Sequence, residues 1–198
     1  MKSKVLMGFA AIVMVALMSA CGKLPQAQID EANAAIEAAK AAEAEVYVPA
    51  DFAALQDSMR AVNAYIESQK SKLFKKYGPA VEDLKAVVTL ANTVKENAAA
   101  RKDEVKKEVE TLMTDIKAVI DETSKLFAKA PKGKEGKAAL DQMKAEMETV
   151  NAAVTEAQSK YDSGAYMDAL NKVKAAKETV DRINGELKEA IKKAGGRI

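Results

Sequence analysis

Cys21 is the single cysteine of a 198-residue chain that contains no histidine. One thiol cannot form a disulfide within its own chain. Without an imidazole nearby, neither it nor a serine has the usual base of a catalytic nucleophile. His-ligated metal sites, covalent haem attachment and histidine acid–base catalysis are excluded with it. Lysine could act as a base, but the Ser-x-x-Lys spacing does not occur. Ser68-Gln69-Lys70-Ser71-Lys72 reads instead as a solvated helix end. Asp103, Glu104, Glu108 and Glu110 crowd one stretch, yet Lys102, Lys106 and Lys107 interleave them. That is the pattern of a salt-bridged helix surface rather than a metal site. Di-iron bundles need Glu-x-x-His pairs, which this chain cannot make, and no Gly-rich phosphate loop is present. No catalytic, cofactor or metal site is expected, and the chain is read as non-enzymatic.

What remains is the place of Cys21 itself. The chain opens Met1-Lys2-Ser3-Lys4, runs uncharged from Val5 to Leu17, then reads Met18-Ser19-Ala20-Cys21-Gly22. A basic start, a short apolar stretch and small residues before a cut are the parts of a secretory leader. The stretch is shorter than the roughly 20 residues that cross a bilayer as a helix. With a cysteine after the small residues, this segment resembles a bacterial lipoprotein signal. The resemblance implies removal of residues 1–20, acylation of Cys21 and attachment to a membrane through its acyl chains. Met18 stands where that family usually has Leu, with Leu17 one step earlier. Gly22, in place of Asp, implies sorting to the outer membrane, facing the periplasm.

Lys2 and Lys4 lie in the leader, so the mature remainder carries equal numbers of basic and acidic residues. A neutral surface of interspersed charge lacks the concentrated basic face that nucleic acid needs. Trp is absent and aromatics are 5% of the chain, whereas Ala, Lys, Glu and aliphatic residues dominate. That composition belongs to long helices.

Residues 21–26 read as an acylated tether containing Pro25. Breakers then cluster near Val48-Pro49, Tyr77-Gly78-Pro79, Ala130 to Gly136 and Asp162-Ser163-Gly164. Between them the apolar period is helical. A helix over 26–46 puts Ile29, Ala32, Ile36, Ala39 and Val46 on one face. A helix over 50–75 carries Phe52, Leu55, Met59, Val62, Ile66, Gln69 and Leu73, alternating steps of three and four. From 79 to 128 a stripe runs Val81, Leu84, Val88, Ala91, Lys95, Ala98, Lys102, Val105, Val109, Leu112, Ile116, Val119. This is one long helix or two coaxial ones, with a solvated waist at Lys95 and Lys102. Further helices are expected over 136–161 (Leu140, Met143, Met147, Val150, Val154, Ala157, Tyr161) and 165–194 (Leu170, Val173, Ala176, Val180, Ile183, Leu187). Gly185 weakens the last one.

The chain also matches itself. Met59, Val62-Asn63-Ala64, Ile66 and Ser71-Lys72 align with Met147, Val150-Asn151-Ala152, Val154 and Ser159-Lys160. After a two-residue slip, Gly78, Leu84, Val87, Thr93 and Val94 align with Gly164, Leu170, Val173, Thr179 and Val180. The expected fold is all-α. It is an elongated antiparallel bundle of two related three-helix units, 27–100 and 101–198, sharing a long central helix. Asn63 and Asn151 sit beside the apolar stripes at equivalent places, as polar contacts that set helix register or as ligand contacts. Tyr77 and Tyr161 should pack at the turns with their hydroxyls in water. Met59, Met143 and Met147 should fill core. Tyr161 to Leu170 resembles the turn between tetratricopeptide helices, which implies helical hairpins and no particular ligand. The whole resembles envelope lipoproteins built of such hairpins.

These readings lead to a membrane-anchored scaffold or adaptor for an envelope protein or peptidoglycan. A carrier that holds an apolar ligand, such as a lipid, between its helices is the alternative.

Overall fold

A computed structural model describes residues 22–131 and 133–197. The expected leader, residues 1–20, and Cys21 lie outside those residues. Among the described residues all regular structure is helical, in six segments: α1 (Gln26–Ala41), α2 (Ala44–Tyr47), α3 (Pro49–Lys70), α4 (Gly78–Lys129), α5 (Lys134–Asp162) and α6 (Tyr166–Lys193). The chain divides into two compact units between Ala100 and Arg101, within α4.

In the first unit, α1 buries Ala32 and Ala39 but does not reach 46. Glu43 adopts φ 60, a left-handed conformation, and α2 restarts directly after it. Ala44 and Tyr47 then turn inward, and Val46, expected on the buried face, is 48% exposed. No Gly or Pro announces this break. It costs about 1–2 kcal/mol in backbone strain, offset by burying Tyr47.

Pro49 opens α3 at a position that needs no N–H donor, and Asp51 complements the helix dipole there. Phe52, Leu55, Met59, Val62, Ile66 and Gln69 are buried in the expected steps of three and four. The helix stops at Lys70, so Leu73 falls out of the stripe and is 90% exposed. Leu84, Val87, Ala91 and Val94 of α4 complete the core of this unit.

α4 is one continuous helix of 52 residues, since no breaker follows Pro79 within it. Its buried positions include Val94, not the neighbouring Lys95, which is exposed. They also include Met113, whereas Leu112 is half-buried. Nothing between Ala98 and Val105 is buried.

In the second unit, Val105, Val109 and Ile116 of α4 lie in the core, as do Met147, Val150 and Ala157 of α5. The α6 stripe of Leu170, Val173, Ala176, Val180, Ile183 and Leu187 is buried throughout. The helix runs unbroken through Gly185. It closes where Gly195, at φ 75, lets its own N–H and that of Gly196 reach the carbonyls of Lys192 and Ile191. The aligned pairs Met59 and Met147, Val62 and Val150, Leu84 and Leu170, Val87 and Val173, and Val94 and Val180 are buried in both units.

Candidate functional site

The two asparagines singled out by the repeat do not enter either core. Asn63 on α3 and Asn151 on α5 are both exposed, one residue beyond buried Val62 and Val150. The buried polar contact between helices is made elsewhere. Asn184 of α6 is 6% exposed, and its amide donates to Thr123 Oγ1 at 2.9 Å and to Glu122 Oε2 at 3.2 Å. Thr123 is fully buried and donates to the carbonyl of Val119 at 2.7 Å. Lys188 meets Glu122 at 2.8 Å from the same face of α6. That Lys188 contact, above all, holds the Glu122 carboxyl below the usual carboxylate range, with Asn184 assisting. A signal existed: Asn184 lies four residues after Val180 and three before Leu187, on the core stripe. In the first unit Ala98 occupies the aligned position and is fully buried.

The acidic stretch of α4 is a paired surface. Arg101 bonds Glu104 at 3.0 Å and Lys174 bonds Glu108 at 2.7 Å. The Tyr161 hydroxyl donates to Glu110 rather than to water. Losing the phenolic proton beside that carboxylate is unfavourable, and the Tyr161 pKa is pushed up to about 12. The rings of Tyr161 and Tyr166 lie 5.2 Å apart, and the Lys102 and Lys106 ammonium groups sit 5.9 and 5.8 Å from the Tyr166 ring. This aromatic pair fastens the α5–α6 turn to α4. Among the described residues no cluster of Cys, Asp and Glu is arranged to hold a metal ion.

Two grooves run along helix pairs. In the first unit, Ser58, Val62 and Tyr65 of α3 face Asp83, Val87 and Leu90 of α4 across about 400 Å³ of free space. In the second, Met113 and Lys117 of α4 face Val154, Thr155 and Gln158 of α5 across about 480 Å³. The second unit's counterpart of the first groove, between α5 and α6, is bridged by ion pairs. Glu146 pairs with Arg182, and Glu156 with Lys172. Glu146 is held below the usual carboxylate range by Gln142 first and Arg182 second, and Glu156 by Lys172. In the repeat, Ser58 aligns with Glu146 and Ala86 with Lys172. Ser68 aligns with Glu156 and Glu96 with Arg182, so neither ion pair has an oppositely charged pair at its counterpart in the first unit.

No family model, no curated protein and no solved structure matches this chain. Among the described residues no helix is long and apolar enough to cross a membrane.

Proposed function

We propose that this chain is exported, cut before Cys21 and held by acyl groups on that cysteine to the outer membrane, facing the periplasm. There its helical units act as a non-enzymatic scaffold or adaptor for an envelope protein or peptidoglycan. One observation carries the reading. The only cysteine stands directly after a basic, apolar and then small-residue leader, the one place where it has a use. A helical face with an open groove between α3 and α4 suits the docking of a partner segment.

Crosslinking in the native cells, followed by mass spectrometry of whatever is joined to the acylated chain, tests it. A reproducible protein or peptidoglycan partner is expected. Self-links alone, or turnover of an envelope substrate by the purified protein, would sink the adaptor. The alternative, a carrier, draws on the same groove, whose free volume falls in the range of small-molecule sites. Lipid co-purifying with the chain, and lost on a Val87→Lys substitution, would favour it.

A further inference from the structure

Between Lys72 and Gly78, at the turn from α3 to α4, the chain is two residues longer than between the aligned Lys160 and Gly164 at the turn from α5 to α6. Leu73 and Phe74 are 90% and 81% exposed, the two most exposed large apolar side chains among the described residues. They stand in the run Lys72-Leu73-Phe74-Lys75-Lys76, which contains no acidic residue. Nearby Lys70 is already paired with Glu67 at 2.6 Å, which leaves Lys72, Lys75 and Lys76 around the tip.

This tip is held, not frayed. Gln69, buried at the end of α3, accepts the Lys76 backbone N–H at 3.3 Å. The Tyr65 hydroxyl donates to the Lys76 carbonyl at 3.2 Å. Tyr77 is buried directly after. The base of the loop is thus pinned on both sides, and the two apolar residues are held out in water.

The second observation concerns where the chain enters. Gly22, the first described residue, lines one hollow with Leu73, Phe74, Lys75 and Lys76. Lys23 and Leu24 follow it, both exposed. Gly22, which directly follows Cys21 in the sequence, and the apolar tip thus share one end of the first unit.

We infer that the loop 72–76 is a membrane-docking loop that inserts Leu73 and Phe74 into an anionic lipid surface while Lys72, Lys75 and Lys76 meet its phosphates. The inference rests on the membrane attachment proposed above and adds a second, non-covalent contact to it. The proposed acyl chains on Cys21 supply the attachment, and an apolar and basic loop adds a second contact that fixes orientation. Each lysine near an anionic surface contributes about fivefold in binding. Each buried Leu or Phe contributes about tenfold or more. With two attachments at one end, the first unit is held in a defined orientation on the membrane instead of swinging on its tether.

The chain has no tryptophan, so one can be placed as a reporter. Phe74→Trp in the full chain, purified from membranes and mixed with phosphatidylglycerol–phosphatidylcholine vesicles, should shift its emission to shorter wavelength. Brominated lipid should quench it. Ser163→Trp, in the corresponding turn of the second unit, should do neither. Replacing Lys72, Lys75 and Lys76 by Gln in the Phe74→Trp background should abolish the preference for phosphatidylglycerol over phosphatidylcholine alone. A position-74 reporter that stays in water on anionic vesicles overturns the proposal, as does equal quenching at both positions. So does crosslinking of a photoreactive analogue at position 74 to a protein instead of lipid. The mass of the N-terminal peptide reports acylation of Cys21 independently. An acylated chain whose position-74 reporter stays in water refutes the loop alone. An unacylated chain refutes the anchor.

Discussion

The turn from α3 to α4 and the turn from α5 to α6 solve one problem in two ways. Both end a helix whose aligned residues are buried alike, and both lead into a helix with an aligned Leu, Val and Val in the core. After α5 the backbone closes itself. Gly164 takes φ 83, its N–H reaches the Tyr161 carbonyl at 3.0 Å, and the Ala165 N–H reaches Lys160 at 2.9 Å. After α3 the aligned serine and lysine are followed by two extra residues before the next glycine, and no left-handed glycine closes the helix. Side chains take over, with Gln69 and Tyr65 tying down Lys76. A helix end closed by backbone leaves a short polar turn, whereas one closed by side chains from the preceding helix frees several residues to face outward. The same division separates the helix pairs that follow. The α5–α6 seam is spanned by ion pairs, while between α3 and α4 the corresponding positions are Ser58, Ser68, Ala86 and Glu96, which form no such pairs with one another, and a groove is left.

If the units share a common packing plan, truncating aligned core residues should hurt them equally. Leu84→Ala and Leu170→Ala should each cost about 2–5 kcal/mol in urea unfolding. A cost under half of that at one site alone would break the equivalence.

Smaller, and specific to the first turn, is Gln69→Leu. It removes the acceptor of the Lys76 N–H and should lower stability by about 1–3 kcal/mol. It should also open the loop to trypsin at Lys72 and Lys75. In the second unit Ala157 holds the aligned position, fully buried, so no such tether exists there to lose. Unchanged proteolysis would show that the loop is held by something else.

The paired glycines sharpen the contrast further. Gly164→Ala should destabilise by about 1 kcal/mol, since Cβ is strained at that φ. Gly78→Ala should stay within about 0.5 kcal/mol, since that residue opens α4 without positive φ and with open space around it.

The smallest effect concerns acid. Glu122, Glu146 and Glu156, all in the second unit, have folded pKa values below their ordinary 4.5. A depressed carboxylate contributes stability that is present above the unfolded value and lost as pH falls through the folded one. Acidification below 4.5 should therefore weaken the second unit. Because these pairs face solvent, the loss is modest and fades in high salt. Replacing the three glutamates with glutamine should flatten the difference in thermal unfolding between about pH 7 and about pH 3. An undiminished difference would assign the acid sensitivity to other groups.

Much of the fold was legible because helices announce themselves locally. The stripes of α3 and α6 follow from the spacing of apolar residues, and the ends of α4, α5 and α6 from Gly and Pro. Less legible was the end of α1, where alanines and a glutamate would equally well continue a helix. There the burial of Ala44 and Tyr47 against the rest of the unit decides. The buried register of α4 near Lys95 lies one residue from the periodic expectation for a related reason. Val94 and Lys95 both fit a pattern of mixed three and four steps, and only the neighbouring helices select which one turns inward. Asn63 and Asn151 looked equivalent because they align, but alignment carries no information on which side of a stripe faces the core. Asn184 became the buried contact because Thr123 and Glu122 lie opposite it, and that juxtaposition spans 61 residues of chain.

The residue pattern by itself determined the helical class, the internal match between the two halves of the sequence, the missing histidine chemistry and the basic, apolar and small-residue run before Cys21, since these depend on composition and on periods of a few residues. The tertiary structure alone decided which polar residues are buried, which seam is open, and that Leu73 and Phe74 stand in water beside Gly22. Those are outcomes of packing between segments far apart in the chain, where burial and pairing are set by neighbours that no local pattern names.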